Sequence, residues 1–234
     1  SGAPTLAYFL AGNANYVKSV AIDETTSSSF INRWDFKNTI DIDYFRSVLG
    51  GDTNKGISFD VLTAAKTKFH IALSEYETGK TFLCSPDTKE KILDAISATI
   101  SIPAAVTKVT MIDGVRYVDG ASTLPYAMDV AYDNIYATHV LAIMNQDKGF
   151  NRLTILEYLL YNLFVRHRMS NLLRVAATQR HSSREKFAER MKGENTPVGI
   201  VWGNNAVISY EEDKGKLEKA IENSRLWWHE ILAK

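Results

Sequence analysis

The sequence predicts an α/β protein built as a single domain over residues 1–234. Its 234 residues, of which 45% are hydrophobic and 23% charged, are enough to bury a core in one globular unit. In some segments apolar residues recur every three or four positions, which indicates amphipathic helices. Between them lie short apolar runs bounded by turn residues, which indicates strands. Because these two signals alternate along most of the chain, we expect helices layered on a sheet.

The first two elements are predicted to be helices. Residues 3–20 carry apolar side chains at helical spacing, with a bend expected near Gly12-Asn13. Residues 58–69 can form a second helix with one apolar side. Residues 38–44 between them are typical of a loop with short pieces of structure.

Strand signals begin with a hairpin in which residues 69–76 and 81–84 flank the turn sequence ETGK. Asp87 followed by Glu90 fits a capping arrangement at the start of the helix KILDAISATI. Pro103 cannot continue that helix, so the helix is expected to end before it.

A second hairpin is predicted from residues 106–112 and 115–118, joined by Asp113-Gly114. An Asp-Gly pair between two alternating runs is the strongest short-range hairpin signal. The run THVLAIM (residues 138–144) is short, apolar and bounded by turn residues, which favours a buried strand.

The last part of the chain, residues 147–234, is predicted to be a helical elaboration with a short strand pair. Residues 150–193 are helical and amphipathic, strands are expected at 198–203 and 206–210, and a final helix begins near Asp213. The segment LTILEYLLYNLFVRHR is preferred as a core helix with a polar end, while its basic end leaves contact with a lipid surface as an alternative.

Composition and motifs argue against several kinds of site. Basic and acidic residues balance at 27 each, so we expect no nucleic acid as partner. The five histidines and the single cysteine, Cys84, match no metal-ligand spacing, and no motif indicates a metal or an organic cofactor. No apolar run approaches the roughly 18 residues of a spanning helix. A cytoplasmic location is favoured, and an N-terminal targeting signal is not assessable from residue 1 onward.

Asp119-Gly120 is the one pair of residues that suggests a site. It ends a predicted strand, and in layered α/β folds a carboxylate at a strand end lies where ligand crevices form. The other interpretation is that Asp119 caps the next element or forms a second turn like Asp113-Gly114. On the local pattern alone, this second interpretation is favoured.

The sequence around Asp119-Gly120 favours the first interpretation, a site, over a cap or turn. The run SIPAAVTKVTMIDGVRYVDGASTLPYAMDVAYD, followed by THVLAIM, resembles patatin-like phospholipases of the bacterial type. The matching tripeptide is Asp119-Gly120-Ala121, with Pro125 as the nearby proline, and the segments FHIALSEYETGKTFLC and NTIDIDYF are similar to others in the family. The resemblance covers roughly residues 1–146. It implies a three-layer fold with a central, mainly parallel sheet flanked by helices, the N-terminal part of which would precede residue 1.

The opening SGAPTLAYFL resembles the exit from the family's Gly-x-Ser-x-Gly turn, where a sharp backbone bend exposes the serine. Ser1 and Gly2 then form the tail of that turn, and the nucleophile is expected immediately before Ser1. Two explanations remain: the start of an enzyme lies upstream, which is preferred, or Ser1 and Gly2 were added to a deliberately shortened chain.

The resemblance implies a serine-dependent acyl ester hydrolase with a Ser-Asp dyad, in which Asp119 is the general base. Backbone N–H groups of an upstream glycine loop would stabilise the tetrahedral intermediate, so this chain alone is expected to be inactive. The expected partner is a lipid or acyl-ester substrate, with peripheral membrane contact as a further expectation; oligomeric state is left open. The alternative function is an inactive patatin-like scaffold that serves as a binding module.

Overall fold

The computed structural model describes residues 2–32, 34, 39–102, 106, 108–124, 139–144, 189, 198–202 and 213–232, which form a mixed α/β structure. Its helices are α1 (Ala3–Leu10), α2 (Val17–Ser19), α3 (Ile42–Gly50), α4 (Phe59–Ala64), α5 (Lys89–Ile100) and α6 (Lys214–Leu232). Its strands are β1 (Ile71–Glu75), β2 (Thr81–Cys84), β3 (Thr110–Ile112), β4 (Val115–Asp119), β5 (Val140–Met144) and β6 (Val198–Trp202). The predictions for residues 150–193, for residues 206–210 and for Pro103 and Pro125 lie outside the described residues.

The bend predicted in the first helical segment is confirmed. Helix α1 ends before Gly12, whose φ of +74° is a conformation that glycine adopts at little cost. The chain then passes through a 3₁₀ turn and α2 into a π-helical turn over Val20–Glu24, called the π-turn below. Such π-turns are uncommon and are often found near functional sites.

Helix α3 was missed, because residues 38–44 were predicted to be mainly loop. Asp41 begins the helix, and its side chain accepts a hydrogen bond from the Tyr44 N–H at 2.8 Å. Gly51 ends it with a φ of +102°. The helix buries Phe45 and three other apolar residues, Ile42, Val48 and Leu49.

A four-stranded sheet in the order β2-β1-β4-β3 confirms both predicted hairpins. In the second hairpin, Asp113 and Gly114 both have positive φ, as a two-residue type I′ turn requires. All three pairings in this sheet are antiparallel. The sheet therefore differs from the mainly parallel one expected. Tight turns join β1 to β2 and β3 to β4, and such turns can join only antiparallel neighbours, whereas β1 and β4 pair across a long connection.

The parallel pairing among the described residues is that of β5 with β6, from Val140↔Val198 to Met144↔Trp202. β5 was predicted to be buried, but Leu141 and Ile143 are 62% and 65% exposed. The two side chains share one face of the strand because alternate residues point the same way. An apolar run does not reveal which of its two faces is covered, and this is why the prediction failed here.

The core lies between α5 and the four-stranded sheet, with α1, α3 and α4 packed around them. Cys84, the last residue of β2, is buried in this core. α4 is shorter than predicted, because Ala65 is already extended, although Phe59 and Leu62 are buried as expected. No helix among the described residues has both the length and the apolar character needed to cross a membrane.

The start of α5 also requires a correction. Thr88, rather than Asp87, occupies the capping position, and its hydroxyl accepts a hydrogen bond from the Lys91 N–H at 3.3 Å. Asp87 instead forms an exposed ion pair with the Lys91 ammonium at 3.0 Å. Helix α6 starts at Lys214, directly after the predicted Asp213.

Candidate functional site

Asp119 is the last residue of β4, opposite Leu73 of β1, and is half-buried. Its backbone N–H donates to the Ser101 carbonyl oxygen at 3.2 Å, which ties β4 to the chain just after α5. Its carboxylate accepts a hydrogen bond from the Ala121 N–H at 3.0 Å. The turn that follows is thus capped by Asp119, as the second interpretation of the sequence proposed, and this bond holds the carboxylate in a defined orientation.

Gly120 occupies a position that only glycine fits. A Cβ atom built on it would lie 2.3 Å from the Ala72 carbonyl oxygen of β1, which is too close for any side chain. The close approach of the two backbones explains why glycine follows the aspartate. Ala121 contributes its N–H to the carboxylate, while its own side chain is exposed.

A buried cluster of hydroxyl groups supports the backbone behind Asp119. Ser74 and Thr123 are both 0% exposed, and their oxygens are 2.7 Å apart. The Ser74 hydroxyl also donates to the Gly120 carbonyl oxygen at 3.2 Å, and Thr81 lies 3.3 Å from the Thr123 hydroxyl. Sequence reasoning missed this cluster, because its members come from three separate segments without a shared motif.

Asp119 borders a cavity of about 290 Å³ that lies between α1, the π-turn, α3 and the end of α5. The described residues that line it are Pro4, Thr5, Tyr8, Val17, Val20, Ala21, Thr25, Phe30, Ile40, Phe45, Thr99, Ile100, Ile102 and Asp119. Asp119 is the only carboxylate in this set. The structure therefore brings the predicted base to the same cavity as the first turn of α1, more than a hundred positions earlier in the chain.

The other predicted site residues lie at the start of α1. Ser1 is outside the described residues. Gly2 precedes α1, and its carbonyl oxygen accepts from the Leu6 N–H at 3.0 Å. Its φ of −83° is open to any residue, and a Cβ atom there would meet no described atom within 4 Å. The described surroundings of Gly2 therefore do not show the crowding that would require glycine.

A charged cluster secures the π-turn, which forms one wall of the cavity. The Lys55 ammonium binds the Glu24 carboxylate at 2.7 Å and the Asp23 carboxylate at 3.2 Å. The Tyr44 hydroxyl donates to Glu24 at 2.6 Å. Hydrogen bonding from Lys55, then from Tyr44, lowers the pKa of Glu24 below its ordinary value. No sequence motif joins these residues, and sequence reasoning did not find them.

Tyr8 links this cluster to α1. It is 1% exposed and lines the cavity, and its hydroxyl donates to the Lys55 carbonyl oxygen at 2.7 Å. Burial, with a smaller contribution from Glu24, raises the pKa of Tyr8. The phenol is therefore neutral at ordinary pH, and its hydrogen bond to Lys55 fixes the ring in the wall of the cavity.

The histidines within the described residues do not gather into a metal site. His70 has its Nδ1 atom 2.6 Å from the Ser85 hydroxyl, and neither residue is among the described residues that line the cavity. In the described part of the chain, no three histidine, cysteine or acidic side chains form a group that could hold a metal ion. Two of the five, His167 and His181, are outside the described residues.

Asp119 thus lies at the edge of a cavity with a mainly apolar lining, in an orientation held by its own turn. A carboxyl group placed in this way can accept a proton from a hydroxyl group brought within hydrogen-bond reach. Comparison with known proteins shows no family for the chain, because no family model and no curated protein matches it.

Proposed function

We propose that the protein is a serine-dependent acyl ester hydrolase of the patatin-like type, with Asp119 as general base and the nucleophile immediately before Ser1. One observation carries this proposal: Asp119 and the α1 residues Pro4 and Thr5 line the same cavity. A serine in the turn that leads into α1 would enter at the same side of the cavity. The resemblance of residues 1–146 to the family is the second support.

The proposed reaction proceeds in two steps. Asp119 accepts the proton of the serine hydroxyl as its oxygen attacks the ester carbonyl carbon, and that proton then passes to the departing alcohol. Water attacks the acyl-serine in the second step, again giving its proton to Asp119, which returns it to the serine as the carboxylic acid leaves. Backbone N–H groups of an upstream glycine loop would stabilise the negative charge on the carbonyl oxygen in both steps.

The same assignment implies a fold for the domain and a class of substrate. The parallel pair of β5 and β6 would be part of a larger, mainly parallel sheet in a three-layer patatin-like domain. The substrate would be a lipid or another acyl ester, and the protein would meet lipid by peripheral contact.

The test uses the full-length protein with its upstream residues and compares two identical substitutions in the two Asp-Gly pairs. Asp119→Asn keeps an oxygen that can accept from the Ala121 N–H but removes the base, so hydrolysis of short acyl esters should fall by about 10²- to 10⁴-fold. Asp113→Asn changes the other pair, where asparagine tolerates the positive φ, and should leave hydrolysis unchanged.

Circular dichroism and thermal unfolding verify that both variants are folded. A folded Asp119→Asn variant with full turnover would refute the assignment of the base. A wild-type protein that hydrolyses none of the esters would refute the hydrolase and favour the binding scaffold.

A further inference from the structure

The cavity beside Asp119 has an interior suited to hydrocarbon. Its apolar lining comes from α1, the π-turn, α3 and the end of α5. Two of its hydroxyl groups already donate within the protein, Tyr8 to the Lys55 carbonyl oxygen and Thr25 to the Ala21 carbonyl oxygen, each at 2.7 Å. Because these two hydroxyl groups already have partners, an apolar occupant beside them leaves neither without a hydrogen bond.

The size and walls of the cavity restrict what can enter. Its volume of about 290 Å³ lies at the small end of ligand sites in proteins. Phe30 and Phe45, whose ring centroids are 5.3 Å apart, form a stiff aromatic part of the wall. Such a cavity accepts a short chain, and on the side of the two rings it cannot deepen unless packed side chains move.

We propose that this cavity binds the unbranched hydrocarbon chain of a neutral acyl ester and sets the longest chain that the protein accepts. This inference rests on the proposed hydrolase function. Asp119, the carboxylate among the described lining residues, disfavours an anionic ligand at the same wall. The neutral ester is therefore bound in preference to its own product, the carboxylate anion, which aids product release.

Binding can be measured without catalysis. Isothermal titration calorimetry uses straight-chain methyl ketones of increasing length, which are neutral and have no ester bond to cleave. Each added methylene group should strengthen binding about fourfold until the cavity is full, and further groups should add little. Carboxylates of matched length should bind more weakly than the ketones. Affinity that does not depend on chain length, or stronger binding of the carboxylates, would overturn the proposal.

A matched pair of variants locates the limit on chain length. Ala21 lines the cavity from the π-turn, so Ala21→Leu fills part of it and should shift the limit to shorter chains. Ala64→Leu makes the same change at an exposed position of α4 and should leave the limit unchanged. If Ala21→Leu does not fold, Phe30→Leu enlarges the cavity and should shift the limit to longer chains. An unchanged limit in the folded cavity variant would overturn the proposal.

The two proposals can fail separately. A shifted limit in Ala21→Leu, together with no ester hydrolysis by the full-length protein, would support the cavity and refute the hydrolase. Ester hydrolysis that depends on Asp119, with an unchanged limit in the cavity variants, would support the hydrolase and refute this assignment of the cavity.

Discussion

Gly120 shows how one residue determines the backbone at the candidate site. The strand end that carries Asp119 lies so close to β1 that a Cβ atom at position 120 would be 2.3 Å from a backbone oxygen. A backbone atom of a central strand cannot move aside as a side chain can. The position of the carboxylate therefore depends on its neighbour having no side chain.

We expect Gly120→Ala to lower the free energy of unfolding by about 3 kcal/mol, because the added methyl group must separate β1 from the end of β4. Gly2→Ala is the matched control, since its φ is ordinary and nothing described lies within 4 Å of the new atom. Urea unfolding measures both. Equal stability of Gly120→Ala and wild type would show that the close approach is absent.

The start of α5 also depends on a single residue, the capping Thr88. Because the Thr88 hydroxyl caps the helix, Thr88→Ala should lower the free energy of unfolding by about 1 kcal/mol. Asp87→Ala removes only an exposed ion pair and should have a smaller effect. The same urea experiment distinguishes them, and a larger loss for Asp87→Ala would restore the original prediction.

At the scale of elements, the π-turn is held by charge. Hydrogen bonding from Lys55 gives Glu24 a lower pKa in the folded protein than its ordinary value of 4.5. At a pH between these two values the unfolded chain binds more protons, so the stability from this contact is fully present above about pH 4.5. It is lost as the pH falls through the lower, folded-state pKa. The wall of the cavity should therefore loosen in acid.

Lys55→Met tests this dependence, because it keeps most of the length of the side chain but removes the charge. The variant should be about 2 kcal/mol less stable at pH 7, and its stability should vary less than that of wild type as the pH falls below about 4.5. Lys91→Met is the control, since it breaks only the exposed pair with Asp87. Parallel stability curves for Lys55→Met and wild type through this range would contradict the prediction.

Most elements set by local chemistry could be predicted from the sequence, and the arrangement set by distant contacts could not. The Asp113-Gly114 hairpin was found because the turn itself selects these residues. Helix α3 was missed although Asp41 and Gly51 mark its two ends, so a signal was present in the sequence. Asp119 was singled out by its strand end, whereas the cavity around it joins α1, α3, α5 and the π-turn. No local sequence pattern predicts that these four elements pack around one cavity.

For the whole molecule, strand direction is the feature that connects the described strands with the proposed fold. Hairpins account for two of the three antiparallel pairings in the four-stranded sheet, while β5 and β6 are parallel, as a layered α/β domain requires of strands linked by a crossover. The long stretch between these two strands allows such a crossover. The parallel direction of β5 and β6 is therefore what allows this half of the chain to belong to the proposed three-layer fold.

Disulfide cross-linking resolves this direction in a Cys84→Ala background, which removes the native thiol. In the parallel register Val140 lies opposite Val198, so the pair Val140→Cys with Val198→Cys should oxidise readily, because neighbouring strands have the spacing that a disulfide needs. The pair Val140→Cys with Trp202→Cys is the control: it lies four residues out of register here but would be opposite in an antiparallel pairing. Non-reducing gel electrophoresis and mass spectrometry identify the bond. Preferential oxidation of the second pair would refute the parallel pairing and, with it, the proposed central sheet.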